Sequence, residues 1–276
     1  MLGGMSQTAS QFGPLLREWR QRRHISQLDL ACQGNISTRH LSFLETGRAR
    51  PSRDMVLHLA EQLEIPLRHR NSLLTSAGFA PEYREGQLTD PGLRAARQAM
   101  EAVIHGHMPY PALAVDRHWT LVAANDALAP LLAGIDPALL EPPVNALRVA
   151  LHPAGMAPRT LNLAAWRGHL LGRLARQVEV NADPVLAALL AELRGYPAPE
   201  GTAVTEAMDM VVPLELMSAW GPLSFISTTT VFGTPMDITL SELAMECFYP
   251  ANEATAAALM QNRSLNAKAD AEPLKV

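Results

Sequence analysis

The chain has 276 residues, 48% of them hydrophobic, with 23 Lys+Arg against 27 Asp+Glu and a formal net charge of −4. That is ample apolar material for about two domains, and no uninterrupted apolar run approaches the ~18 residues a membrane span needs. Cys32 and Cys247 are far apart in the chain and read as small buried or half-buried thiols in a reducing compartment. Residues 1–11 carry neither a charge run nor the apolar core of an export signal, so a cytoplasmic protein with no membrane segment is expected.

Residues 11–70 hold ten arginines and six acidic residues, a net of +4, whereas the chain from residue 87 onward has a net of −7. Localised positive charge is the footprint of a nucleic-acid partner. Within it, Ser26 can cap a short helix carrying Leu30 and Ala31, whose small side chain lets a neighbouring helix approach. Gly34-Asn35 is a turn, and Ser37 can cap the next helix. At about 100° per residue, Leu41 and Leu44 fall on one side of that helix, with Ile36 just ahead of it. Thr38, Arg39, Ser42 and Phe43 cluster on the other side. This is a helix-turn-helix pattern. Arg39 suits guanine O6/N7, Phe43 the thymine methyl, and the helix start at Ser37 suits phosphate. The alternative is an ordinary amphipathic helix with a solvated polar face, against which Phe43 and the preceding helix count. Arg48, Arg50 and Arg53 flank a further helix capped by Ser52 and could grip phosphates or simply face solvent. A fifth helix, Leu67–Ala77, stops at Gly78.

A linker over 82–90 leads to Asp90-Pro91, a helix start with Asp as cap and Pro at the first position. The helix to Ile104 would turn Leu93, Ala96, Met100 and Val103 to one face. PALAV and WTLVAAN form a hairpin around Asp116-Arg117-His118, and Asn125 could cap a helix DALAPLLAG. Leu161–Arg176 and Pro184–Leu193 read as helices. AMDMVVPLELM, LSFISTTTVFG and MDITLSELAMECF read as strands, with the Ser/Thr-rich ISTTT at 226–230 facing solvent or a sheet partner. The fold class is multi-domain: an all-α five-helix domain over 12–81, then an α+β domain with an antiparallel sheet over 91–260. The tail 261–276 is expected to be disordered. Between sheet and helices, Val115, Trp119, Val122, Trp166, Leu170, Met210, Leu216, Phe225 and Phe232 are candidates to line an apolar cavity. Met208, Met210, Met217, Met236 and Met245 would make its surroundings adaptable, unless these side chains simply fill a core.

No G-x-S-x-G, phosphate-cradling GxxxxGK[ST] or HExxH occurs. His105, His107, His118, His152 and His169 match no zinc spacing, so no catalytic or metal residue is assigned.

LREWRQRRHISQLDLA, the turn, STRHLSFLETGRARPS and MVLHLAEQLEIP resemble the XRE (Cro/phage-repressor type) DNA-binding domain. The resemblance implies a double-stranded DNA operator as partner, with Thr38 and Arg39 reading bases, Ser42 and Phe43 in support, and Gln27 on a phosphate. It also implies an internal ion pair between Arg20 and Glu45. The family usually has Gly where Asn35 stands, at the turn position with positive φ. YPALAVDRHWTLVAAN, NALRVALHPAGMAP and SELAMECFYPANEAT resemble the MmyB-like ligand-binding domain. That implies a PAS-like fold and an apolar cavity for a small effector such as a fatty-acyl chain, with no other cofactor. Near LNLAAW this chain has Ala where the family usually has Asn, which puts a polar contact in doubt. Together these features point to a ligand-responsive transcription regulator, not an enzyme, acting as a homodimer. The alternatives are a DNA-binding protein whose second domain serves only dimerisation or partner binding, and an enzyme or metabolite carrier.

Overall fold

The computed structural model describes the backbone of residues 11–197, 211–233 and 237–269, and side chains through Gln261. The chain divides into two compact units. One holds the chain as far as Gly86 together with a later segment ending at Ser241; the other holds Gln87–Gly233 and the chain from Glu242.

The first unit contains α1 (Phe12–Arg22), α2 (Gln27–Gln33), α3 (Thr38–Glu45), α4 (Arg53–Gln62) and α5 (Leu67–Ser76). Serines start three of them. Ser26 accepts from Asp29 N at 3.1 Å, Ser37 from His40 N at 3.1 Å and Ser52 from Met55 N at 3.2 Å. Each pairing satisfies a backbone donor that the helix itself leaves free. Leu16, Leu30, Leu41, Leu44 and Leu59 are fully buried and make the core. Gly13 lets α1 close on the C-terminal carbonyls of α3: a Cβ there would sit 2.5 Å from Glu45 O.

The α2–α3 turn has Gly34 at φ −81° and Asn35 at φ +49°. Asn35 therefore occupies the left-handed position, where a non-glycine residue costs roughly 1–2 kcal/mol. Glycine's extra freedom in the unfolded chain takes back about 0.4–1 kcal/mol. Asn35→Gly should thus stabilise the unit by about 0.5–1 kcal/mol, a rise of a few degrees in a melting curve. A midpoint that does not rise would mean that asparagine offsets its own strain.

Past α5 the chain is not a free linker. Asn71 accepts from the backbone N–H of Glu82 and Tyr83 at 2.9 and 3.0 Å and donates to Tyr83 O at 2.7 Å. Arg84 bridges to Asp237, and Thr239 donates to Gly86 O at 2.6 Å and accepts from Gly86 N. This places α10 (Ile238–Ser241) in the same unit as α1–α5. The expected strand MDITLSELAMECF is accordingly split, its first half supplying α10.

The second unit is α6 (Arg94–Gly106), β1 (Ala112–Val115), β2 (Leu121–Ala124), α7 (Ala146–Leu151), α8 (Leu163–Asn181), α9 (Pro184–Arg194), β3 (Leu214–Ser218), β4 (Gly221–Val231), β5 (Ala244–Pro250) and α11 (Glu253–Ala269). The sheet is antiparallel in the order β2-β1-β5-β4-β3, the α+β, PAS-like arrangement expected. Strand alternation divides its two faces. Ala112, Ala114, Met245 and Cys247 pack with Met100 and Ile104 of α6. Leu113, Leu216, Leu223 and Phe225 turn the other way, into a core with α8 and α9.

Several local expectations change. Asp90 makes no cap bond; its carboxylate accepts from Gln87 N, and a 3-10 turn, Pro91–Leu93, precedes α6. Leu93 is buried in that turn and Met100 and Ile104 on α6, while Val103 is exposed, because the 3.6-residue period carries position 104 beneath position 100. Asn125 caps no helix. It is buried and ties Ala112 N, Ile104 O and Tyr110 O together at 3.1, 3.0 and 2.8 Å; only a 3-10 turn, Ala129–Leu132, follows. Cys32 is exposed and Cys247 buried. α11, with Asn252 accepting from Thr255 N at 2.8 Å, extends into the stretch expected to be a disordered tail; residues 270–276 lie outside the described residues.

Candidate DNA-reading face and ligand cavity

On α3, Leu41 and Leu44 are buried, Thr38 and Arg39 exposed, and Ser42 and Phe43 half-buried. The Phe43 ring lies 5.3 Å from the Arg39 guanidinium carbon and 5.9 Å from that of Arg48. The ring thus holds two cations beside one another through cation–π attraction. Sequence reasoning assigned Phe43 to bases and did not foresee that it also organises both arginines.

Behind this face, Arg20 Nε and Nη2 reach Glu45 Oε1 and Oε2 at 2.6 and 3.0 Å, and Arg20 Nη1 donates to Ile25 O at 2.9 Å. The bidentate bond to Glu45 holds the Arg20 guanidinium above its ordinary pKa. Gln27 also donates to Glu45 Oε2, at 2.7 Å. The residue assigned to a phosphate is therefore tied to the internal ion pair as well. Arg53 is ion-paired with Glu82. Ser37 is engaged as the α3 cap, and Arg48 and Arg50 are exposed.

The second unit has a partly open cavity of about 250 Å³ between the sheet and α7–α8. This is just below the roughly 300–1,000 Å³ of common ligand pockets. Trp166, Leu170 and Arg173 line it from α8, spaced i, i+4, i+7 on one helix face. Leu147 and Ala150 line it from α7, and Leu113, Leu121, Leu214, Phe225 and Phe248 from the strands. Trp119 is placed by the β1–β2 turn. Asp116 Oδ1 accepts from His118 N and Thr120 N at 2.8 Å each, which pins the loop, and Trp119 takes φ +64°. A bulky residue seldom adopts that conformation, and here it lays the indole over the cavity. The indole N–H donates to Gln177 Oε1 at 2.8 Å.

Of the residues expected at the cavity, Trp119, Trp166, Leu170 and Phe225 line it. Val115 and Leu216 are buried in the same core without lining it. Val122 is exposed: β1 pairs Ala114 with Ala123 and Val115 with Leu121, so Val122 is the extra residue of a bulge and loses the parity its position suggests. Phe232, beyond the end of β4, packs with the cluster under α6, on the opposite face. Met210 lies outside the described residues. Met217 is exposed and Met245 faces α6, so neither softens the cavity; Met156 does line it.

Sequence reasoning missed the polar part of the wall, formed by Thr160, Arg173, Ser227 and Glu246. Glu246, 4% exposed, sits at mid-β5 between Leu113 and Thr229 on the neighbouring strands. Arg173 Nη2 and Nη1 donate to its two oxygens at 2.5 and 3.0 Å, and Thr229 donates to Oε1 at 3.1 Å. The Arg173 guanidinium lies over Trp119, 4.7 Å from the ring centroid. Burial, then Arg173 and Arg176, hold His169 below the usual histidine range. Other histidines bond within the protein, His118 to Asp183 at 2.9 Å and His107 to Phe248 O at 3.0 Å. Among the described residues no group of three or more His, Cys, Asp or Glu could hold a metal ion, and no helix is long and apolar enough to cross a membrane.

Residues 96–261 match the family described as MmyB-like transcription regulator ligand binding domain, and residues 16–69 match a helix-turn-helix family. No curated protein matches the chain. Among solved structures, a similar chain is titled "Structure of an RNA-binding Light-Oxygen-Voltage Receptor", at 13% identity and a TM-score of 0.25. The match covers 95% of this chain and 66% of the receptor's.

Proposed function

The chain belongs to the MmyB-like transcription regulators, DNA-binding proteins with a ligand-binding domain, and from that premise we propose that a slender, largely apolar effector such as a fatty-acyl chain fills the cavity and changes operator affinity. The observation that carries this reading is the cavity itself, lined by Trp119, Trp166, Leu170, Phe225 and their apolar neighbours.

Thr38 and Arg39 read bases, with Ser42 and Phe43 beside them, while Ser37, Gln27, Arg48, Arg50 and Arg53 supply phosphate contacts. The protein acts on DNA in the cytoplasm as a homodimer whose half-sites lie about one helical turn apart. Ligand changes DNA affinity only if it binds two arrangements of that dimer unequally.

The test joins both ends. Trp119 and Trp166 line the cavity, so acyl ligands should alter intrinsic fluorescence and raise the melting point. The same ligands should shift affinity for an operator selected from random DNA. Arg39→Ala should cost about 1–3 kcal/mol in specific binding if Arg39 reads a base, with little change in ligand uptake. Ligand uptake without any operator effect would leave the second domain with dimerisation or partner binding only. A protein that is empty on extraction and unresponsive to acyl ligands would sink the effector reading.

A further inference from the structure

We infer that the polar pole of the cavity selects a neutral head group (an ester, alcohol, lactone or amide) and disfavours a free carboxylate or an amine. The inference rests on the cavity being an effector site and adds the chemistry of the effector's polar end.

A lone arginine in an apolar pocket would call for an anion. Arg173 is not alone. Both oxygens of the Glu246 carboxylate take its N–H groups, and Thr229 adds a third bond. The Glu246 side chain is 6% exposed and that of Arg173 is 20% exposed, so the pair is held largely out of water and its formal charges cancel. Burial, then Arg173 and Arg176, disfavour the charged form of His169.

An incoming carboxylate would shed its hydration and meet no net positive charge, with Glu246 beside it as a like charge. An ammonium would meet Arg173 in the same way. A neutral acceptor avoids both penalties. Two of the five N–H groups of Arg173 serve Glu246, which leaves others for a carbonyl or ether oxygen. Ser227 lines the same wall and brings a hydroxyl to it. A buried ion pair is weak evidence for stability, so its place on the ligand wall is better explained by selectivity.

The test uses the full-length protein, freed of co-purified lipid and titrated near pH 7 with 1-decanol, methyl decanoate, sodium decanoate and decylammonium. Tryptophan fluorescence and thermal shift are the readouts. The neutral compounds should bind about tenfold or more tightly than either ion. Glu246→Gln leaves Arg173 uncompensated and should reverse the order in favour of decanoate. Decanoate or decylammonium equalling the neutral compounds in the unsubstituted protein would overturn the inference while leaving the cavity as an acyl site. An unchanged order in a folded Glu246→Gln protein would overturn it too. Failure of all four compounds to bind would remove the cavity reading and this inference together.

Discussion

Glu45→Ala is expected to destabilise the DNA-binding unit by about 3–5 kcal/mol, because it strands the Arg20 guanidinium in a site where the pair was buried. Glu45 is 6% exposed and accepts from Arg20 twice and from Gln27 once. Its loss releases α1, the start of α2 and the end of α3 from one another. Domains are stable by only about 5–15 kcal/mol, and each kcal/mol is worth roughly 4–8 °C for a unit of this size. A calorimetric scan should therefore show the DNA-binding transition moving down by some tens of degrees. Glu45→Gln keeps the shape and one acceptor, so its loss should be smaller. A shift of only a few degrees for Glu45→Ala would show that Arg20 finds water or another partner at little cost.

In the ligand-binding unit, Asn125→Ala should cost about 3 kcal/mol or more. Three backbone groups, Ala112 N, Ile104 O and Tyr110 O, lose their partner at once, and a stranded buried group costs about 1–3 kcal/mol. The bonds join the end of α6 to the start of β1, so the variant should also loosen the packing of Met100 and Ile104 under the sheet. Denaturant unfolding monitored by near-UV dichroism gives the number. Asn125→Asp, which keeps the acceptor but no amide donors and adds a buried charge, should be at least as harmful. A near-neutral Asn125→Ala would mean that water replaces all three bonds.

The two halves of the molecule were legible to different degrees for a physical reason. The DNA-binding helices are specified by neighbours a few positions apart: serine caps, a glycine-asparagine turn, leucines three residues apart. The cavity is specified by strand parity and by contacts from far along the chain. The apolar positions 119, 166, 170 and 225 could be found from pattern alone, but one bulged residue turned Val122 outward. Arg173 and Glu246 are separated by 73 positions, and nothing local announces that they meet. Two signals were nevertheless present. Glu246 alternates with Ala244 and Phe248 on one strand face, and Arg173 continues the helix face of Trp166 and Leu170. A charge standing in an otherwise apolar register is a pointer to a partner, and each of these had one.

The segment Ile238–Ser241, which belongs with α1–α5 and not with the strands on either side of it, bears on how the protein is made. Gly86 meets Thr239 across 153 positions, so the DNA-binding half is not finished when its five helices leave the ribosome. At roughly 5–20 residues per second, it waits on the order of ten to thirty seconds for a piece synthesised after β4. During that interval the nascent chain already carries a complete reading helix without its final brace, and a gene fragment ending near residue 86 would hold it in that state permanently.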